Sequence, residues 1–110
     1  MNDLTDKKCL PCEGGVDPLD RAGAEALMDQ LHGDWKLNDK ATEIARTFRF
    51  KDFHQTMSFV NAVAWVANGE DHHPDMEVGW GRCHVVYSTH AISGLSENDF
   101  ICAAKIDALF

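Results

Sequence analysis

The sequence has no apolar run approaching the roughly 20 residues needed to span a bilayer, so no membrane-spanning helix is expected. Its N-terminus, MNDLTDKKCLPCEGG, is polar where an export signal would be apolar, and the protein is expected in the cytoplasm. Basic residues are scarce: 10 Lys and Arg stand against 18 Asp and Glu, for a formal charge of −8. Cationic contacts supply most of the non-specific affinity for nucleic acid, so no nucleic-acid partner is expected. Cysteines number only four, and without an export signal their thiols are expected to stay reduced. Low-complexity stretches are absent, as are internal repeats beyond a loose symmetry of two hairpin-plus-helix units. What remains, 110 residues of which 45% are apolar, fits one domain with one modest core.

Residues 1–17 mix charge, Pro11 and Gly14-Gly15 without any period and read as a flexible N-terminal arm ahead of a domain over 18–110. From Asp17-Pro18 the pattern turns helical, with Ala24, Leu27, Met28 and Leu31 on one face and Gly33 as a stop. Trp35 and Leu37 alternate with polar residues, Asn38-Asp39 makes a turn, and Ile44, Phe48 and Phe50 share one parity, which predicts a hairpin. Phe53, Met57, Val60, Ala64 and Ala67 repeat at three and four, and Phe59, Val63 and Val66 widen the stripe, so a second helix must lie on something broad. It ends around Gly69. MEVGWGR and CHVVYSTH alternate as two more strands. Ser96 with Asp99 three residues on forms an acidic capping box, Leu95 and Phe100 form a hydrophobic staple, and a last helix runs to the C-terminus. The order α-β-β-α-β-β-α with short links predicts an α+β, two-layer domain: a four-stranded antiparallel sheet with helices packed on one face.

Cys83 and Cys102 fall in patterned segments and read as small core residues. Cys9 and Cys12, in CLPC, have the spacing of a zinc half-site or a redox motif. No second pair follows at finger spacing and no βαβ pattern surrounds them, so neither role is expected.

Titratable chemistry concentrates in GEDHHPDM, between the second helix and third strand. Pro74 biases His73 away from helical backbone, which makes the adjacent pair His72-His73 a fixed constellation. His90 ends the fourth strand in STH; strand parity sets it with His84 and Ser88, opposite Val85, Tyr87 and Thr89. The three imidazoles can therefore converge at one edge of the sheet. A histidine pair in a loop is often solvated surface, and three imidazoles can also hold a catalytic zinc. Adjacent histidines, however, project in different directions, and no HExxH-like pair accompanies them; acid/base catalysis leads. His32, His54 and His84 read as structural, and Trp35, Trp65 and Trp80 as core or site-wall aromatics.

The run EDHHPDMEVGW, the strand HVVYSTH and the segment GLSEND, in this order and spacing, resemble the signature of pterin-4a-carbinolamine dehydratases. Upstream, Trp35 and IARTFRFKDFHQTMSFVNAVA are similar to the family's Trp, its Arg-x-Phe-x-Phe strand and its following helix. The resemblance covers about residues 20–107, and CLPCEGG resembles an arm of bacterial members. One departure concerns the acid that members often place four residues before the first histidine. This chain has Asn68 there, with Glu70 and Asp71 close by, which leaves the partner of His72 open.

The resemblance implies a dehydratase converting a 4a-hydroxytetrahydropterin, the product of aromatic amino-acid hydroxylases, to a quinonoid dihydropterin plus water, with no metal or other cofactor. It assigns His72 and His90 to proton transfer, His73 mainly to substrate binding, and Asp71, Ser88, Thr89 and Ala91 to pterin contacts. It also implies homodimers that can pair into homotetramers. Animal members assist dimerisation of a homeodomain transcription factor, which supplies the alternative reading of a protein-interaction module.

Overall fold

The computed structural model describes residues 4–10 and 17–110; Pro11, Cys12 and Gly14-Gly15 of the expected arm lie outside the described residues. A single 3-10 turn at Leu4–Asp6 precedes α1 (Arg21–Met28), β1 (Lys36–Leu37), β2 (Ile44–Arg49), α2 (Phe53–Glu70), β3 (Asp75–Gly79), β4 (Arg82–Tyr87), a second 3-10 turn (His90–Ile92) and α3 (Glu97–Asp107). The strands form one antiparallel sheet in the order β1-β2-β4-β3. The architecture is the two-layer α+β domain that the pattern of elements predicts.

One sheet face carries the core. Ile44 and Phe48 of β2 and Cys83, Val85 and Tyr87 of β4 are buried with Ala24 of α1, Phe59 and Val63 of α2 and residues 100–104 and 106 of α3. On the other face the register sets Thr47, His84 and Glu77 side by side across β2, β4 and β3. There His84 Nδ1 and Thr47 Oγ1 are hydrogen-bonded at 2.8 Å, a structural role.

Helix ends follow local chemistry. Asp20 caps α1 by accepting from Gly23 N–H at 2.8 Å, so the helix starts later than Pro18 and stops before Leu31, which is buried in the turn beyond it. Asp52 caps α2 in the same way, accepting from Gln55 N–H. Both halves of the capping box at Ser96 and Asp99 are formed, and the staple residues Leu95 and Phe100 are buried.

The buried seam of α2 is Thr56, Phe59, Val63 and Ala67, so most of the set chosen from the period of three and four flanks that seam. Thr56 is the reason: its hydroxyl reaches the carbonyls of Asp52 and Trp80, both at 2.9 Å, which lets a polar residue occupy the seam and tie α2 to the β3-β4 turn. Trp35 is buried, its indole N–H donating to Asp107 at 2.8 Å beside Arg46 on the same carboxylate. Trp65 and Trp80 are 81% and 68% exposed, so the expectation of core or site-wall aromatics fails for both.

The segment Leu4–Leu10 lies against α3. Leu4 is buried in the core, and Asn98 holds Leu10 at two points, accepting from its N–H at 3.0 Å and donating to its carbonyl at 2.6 Å. Among the described residues, no helix is long and apolar enough to cross a membrane.

Candidate active site

α2 ends where its chemistry must turn. Asp71 caps it in left-handed backbone, φ 52°, and the N–H groups of Asp71 and His72 close the last turn on Asn68 and Ala67 carbonyls. Aspartate tolerates that conformation better than most side chains. His72 and His73 follow at once, and buried Pro74 leads into β3. The strand that was expected to carry His90 stops at Tyr87. Thr89 and Gly94 exchange backbone hydrogen bonds at 2.7 and 3.4 Å, and between them His90 opens a 3-10 turn closed by Ser93 in left-handed backbone. His90 is therefore exposed on a pinned loop instead of standing on a strand face. A Cβ on Gly94 would come within 2.7 Å of Pro18, so glycine is required for this closure.

These two joins face one cavity of about 540 Å³, within the range of small-molecule sites. Asp71, His72 and His73 line it from the end of α2; Ser88, Thr89, His90 and Ala91 line it from the end of β4. All seven residues singled out from the sequence thus meet at one place. Glu70, Asn98 and the N-terminal Cys9 and Leu10 complete the wall.

His72 is the anchored imidazole. Its Nε2 lies 2.6 Å from Asp99 Oδ1, and Asp99, fully buried, also accepts from Thr89 Oγ1 at 2.8 Å and Ser96 N–H at 3.0 Å. The ring stacks on Tyr87, centroids 5.5 Å apart at 12°. Burial works against the imidazolium, but the hydrogen bond and negative charge of Asp99 outweigh it and hold His72 above the ordinary histidine value. With Nε2 committed, Nδ1 is the nitrogen left without a protein partner among the described residues. Among the described residues, His73 Nδ1 makes only a long 3.4 Å contact to Pro74 O. His90 Nε2 stands 3.9 Å from Asp75 Oδ2, with both side chains largely in solvent.

Asp99, which the sequence assigns to helix capping, is also the acid that meets His72. The resembling signature includes an acid after Gly-Leu-Ser, but GLSEND offers both Glu97 and Asp99, and the capping box explains Asp99 locally. Glu70, the near-sequence acid, does not serve His72: it accepts from Cys9 N–H at 2.8 Å and from Lys105 at 2.9 Å. Those contacts hold its carboxyl below the usual range against the opposing effect of burial. Among the described residues, no group of three or more His, Cys, Asp or Glu side chains is spaced to hold a metal ion.

The family model described as pterin 4 alpha carbinolamine dehydratase matches residues 17–109. A Nitrosomonas europaea protein provisionally named pterin-4-alpha-carbinolamine dehydratase is 64% identical over 108 residues, spanning 98% of this chain and 94% of its own. A Nitrosospira multiformis protein with the same provisional name is 56% identical over 110 residues, spanning 100% and 95%. Among solved structures, the Brucella melitensis transcriptional coactivator/pterin dehydratase superposes with a TM-score of 0.79 at 30% identity, covering 84% of this chain and 98% of that one. A pterin dehydratase-like RuBisCO assembly factor of the alpha-carboxysome, TM-score 0.61 at 24% identity over 71% of this chain and 90% of its own, shares the fold.

Proposed function

Because the chain belongs to the pterin-4a-carbinolamine dehydratase family and is a hydro-lyase, we propose that it dehydrates a 4a-hydroxytetrahydropterin by histidine acid/base catalysis. The observation that carries this reading is the convergence of His72, His73 and His90 on one cavity, with the proton affinity of His72 raised by buried Asp99. Loss of water needs a proton delivered to the departing 4a-hydroxyl and a proton removed from N5. An imidazolium held above its ordinary value suits the first task, and His72 presents Nδ1–H for it. His90, exposed on the opposite side of the cavity, takes the N5 proton. The C–O bond breaks with its electron pair leaving as water, the N5–H pair forms the new double bond, and one proton has passed from His72 to His90. His73 binds and orients the ring, with Asp71, Ser88, Thr89 and Ala91 as pterin contacts.

The same reading places the reaction in recycling of a tetrahydrobiopterin-like cofactor for aromatic amino-acid hydroxylation, in the cytoplasm, by a homodimer or homotetramer. Exposed Trp65 and Trp80, with Phe53 at 48%, supply apolar surface for that association, and β1 and β3 are the edge strands of the sheet among the described residues. The Brucella neighbour is also a transcriptional coactivator, which supports a second, protein-binding role as the alternative reading. The test is dehydration of a chemically generated 4a-hydroxytetrahydropterin after exhaustive chelation. Undiminished acceleration is the expected result, and activity lost to EDTA but restored by zinc would overturn the acid/base account.

A further inference from the structure

Cys9 is half-buried in the wall of the cavity, and Cys102 is fully buried on α3 behind it; their sulfurs lie 3.6 Å apart. The contact is held from both sides. Asn98 clamps Leu10 at two points and Glu70 fixes Cys9 N–H, so the N-terminal segment is set in place at the thiol's own residue and at the one after it. Cys102 Sγ in turn lies 3.7 Å from the His72 carbonyl. A disulfide needs sulfurs at about 2.05 Å, so closure asks for a movement of roughly 1.5 Å.

We propose that Cys9 and Cys102 form a redox-modification site, a dithiol that closes to an intrachain disulfide by exchange with a low-molecular-weight disulfide and latches the N-terminal segment onto α3 behind His72. Cys9 is the entry point because it borders the cavity. Its thiolate attacks one sulfur of R–S–S–R, the R–S bond partner leaves as a thiolate, and that thiolate takes up the proton Cys9 gave away. Cys102 then attacks Cys9 Sγ, breaks the mixed disulfide and expels the second R–S⁻, which leaves with the Cys102 proton. Two cysteine thiols lose two electrons, and one small disulfide becomes two thiols. The shared contact and burial push the Cys9 thiol up, which slows its first attack, whereas that contact and the charge of His72 pull the Cys102 thiol below its ordinary value despite burial and favour the resolving step.

The CLPC motif does not predict this pairing, because the partner of Cys9 lies 93 residues away. The experiment equilibrates the full chain in glutathione disulfide/glutathione buffers of stepped ratio, blocks free thiols with a maleimide in acid, and maps digests by mass spectrometry. The expected product is a Cys9–Cys102 linked peptide pair, lighter by two hydrogens than the separate peptides and reversed by dithiothreitol, with Cys83 still free. Oxidation should raise Tm by roughly 10 °C, since the cross-link closes a long loop, and Cys9→Ser should abolish the rise. Cys12→Ser keeps the test clean: the Cys9–Cys102 bond must still form in it. A Cys9–Cys12 bond in the wild type, stable glutathionylation of Cys9 alone, or Cys102 alkylated as free thiol at every ratio overturns the proposal.

Discussion

Asp99 Oδ1 and His72 Nε2, 27 residues apart in the chain, lie 2.6 Å from each other. The carboxylate holds three partners at once: the imidazole, the Thr89 hydroxyl on the His90 side of the cavity, and the N-cap of α3. One buried charge therefore links helix initiation, the His90 loop and the state of His72. Asp99→Asn keeps the shape, removes the charge and turns one acceptor oxygen into an NH2 donor, so at least one of the three partners loses its acceptor. It is expected to lower kcat by roughly 10²-fold and destabilise by about 1–3 kcal/mol, measured by steady-state kinetics and urea unfolding. Near-wild-type kcat in a folded Asp99→Asn would detach Asp99 from the mechanism.

The same pair gives stability a pH dependence with a definite sign. His72 binds its proton more tightly folded than unfolded. Its contribution is therefore complete below the unfolded value of about 6.5 and is lost as pH rises through the raised folded value. The stability difference between wild type and Asp99→Asn, from unfolding titrations across pH 6–9, should shrink as pH rises. A difference that grows with pH would mean that His72 is not held as the cation.

Much of the domain is legible in the sequence because its elements announce themselves locally. The staple and capping box at Leu95–Phe100 are formed as expected, and the alternation in β4 buries Val85, Tyr87 and then Thr89. The three histidines were legible as a set for the same reason, since Pro74 and the following strand fix their surroundings. What the pattern could not carry was non-local. Thr56 sits in the α2 seam only because the Trp80 carbonyl awaits it, Asp99 has a second task that its local one conceals, and Cys9 meets a thiol on another element. His90 was misplaced on a strand because the STH alternation continues past the point where Gly94 pulls the chain into a turn.

Gly94 offers a test of that turn. Gly94→Ala sets a Cβ 2.7 Å from the rigid ring of Pro18, whereas the same change at Gly33 meets nothing within 4 Å. The expected costs are about 1–3 kcal/mol at Gly94, with a fall in kcat as the His90 loop shifts, and little change at Gly33. Thermal melts and turnover of the two variants check this; equal effects at both sites would contradict the pinned loop.

His73 makes no strong hydrogen bond among the described residues and lines the cavity. His73→Ala is expected to raise KM while kcat changes much less, because lost binding weakens substrate and transition-state complexes alike. A fall in kcat matching that of the other two histidines would give His73 a proton-transfer task instead.

The central claim, that His72 and His90 move the two protons of one dehydration, is tested most directly by single-turnover kinetics on His72→Ala, His90→Ala and the double variant, with circular dichroism confirming the fold. Each single change is predicted to lower the rate of water loss by roughly 10²- to 10⁴-fold, and the double change to cost less than the product of the two, because both groups serve one concerted departure. Near-wild-type rates in both single variants would contradict the account.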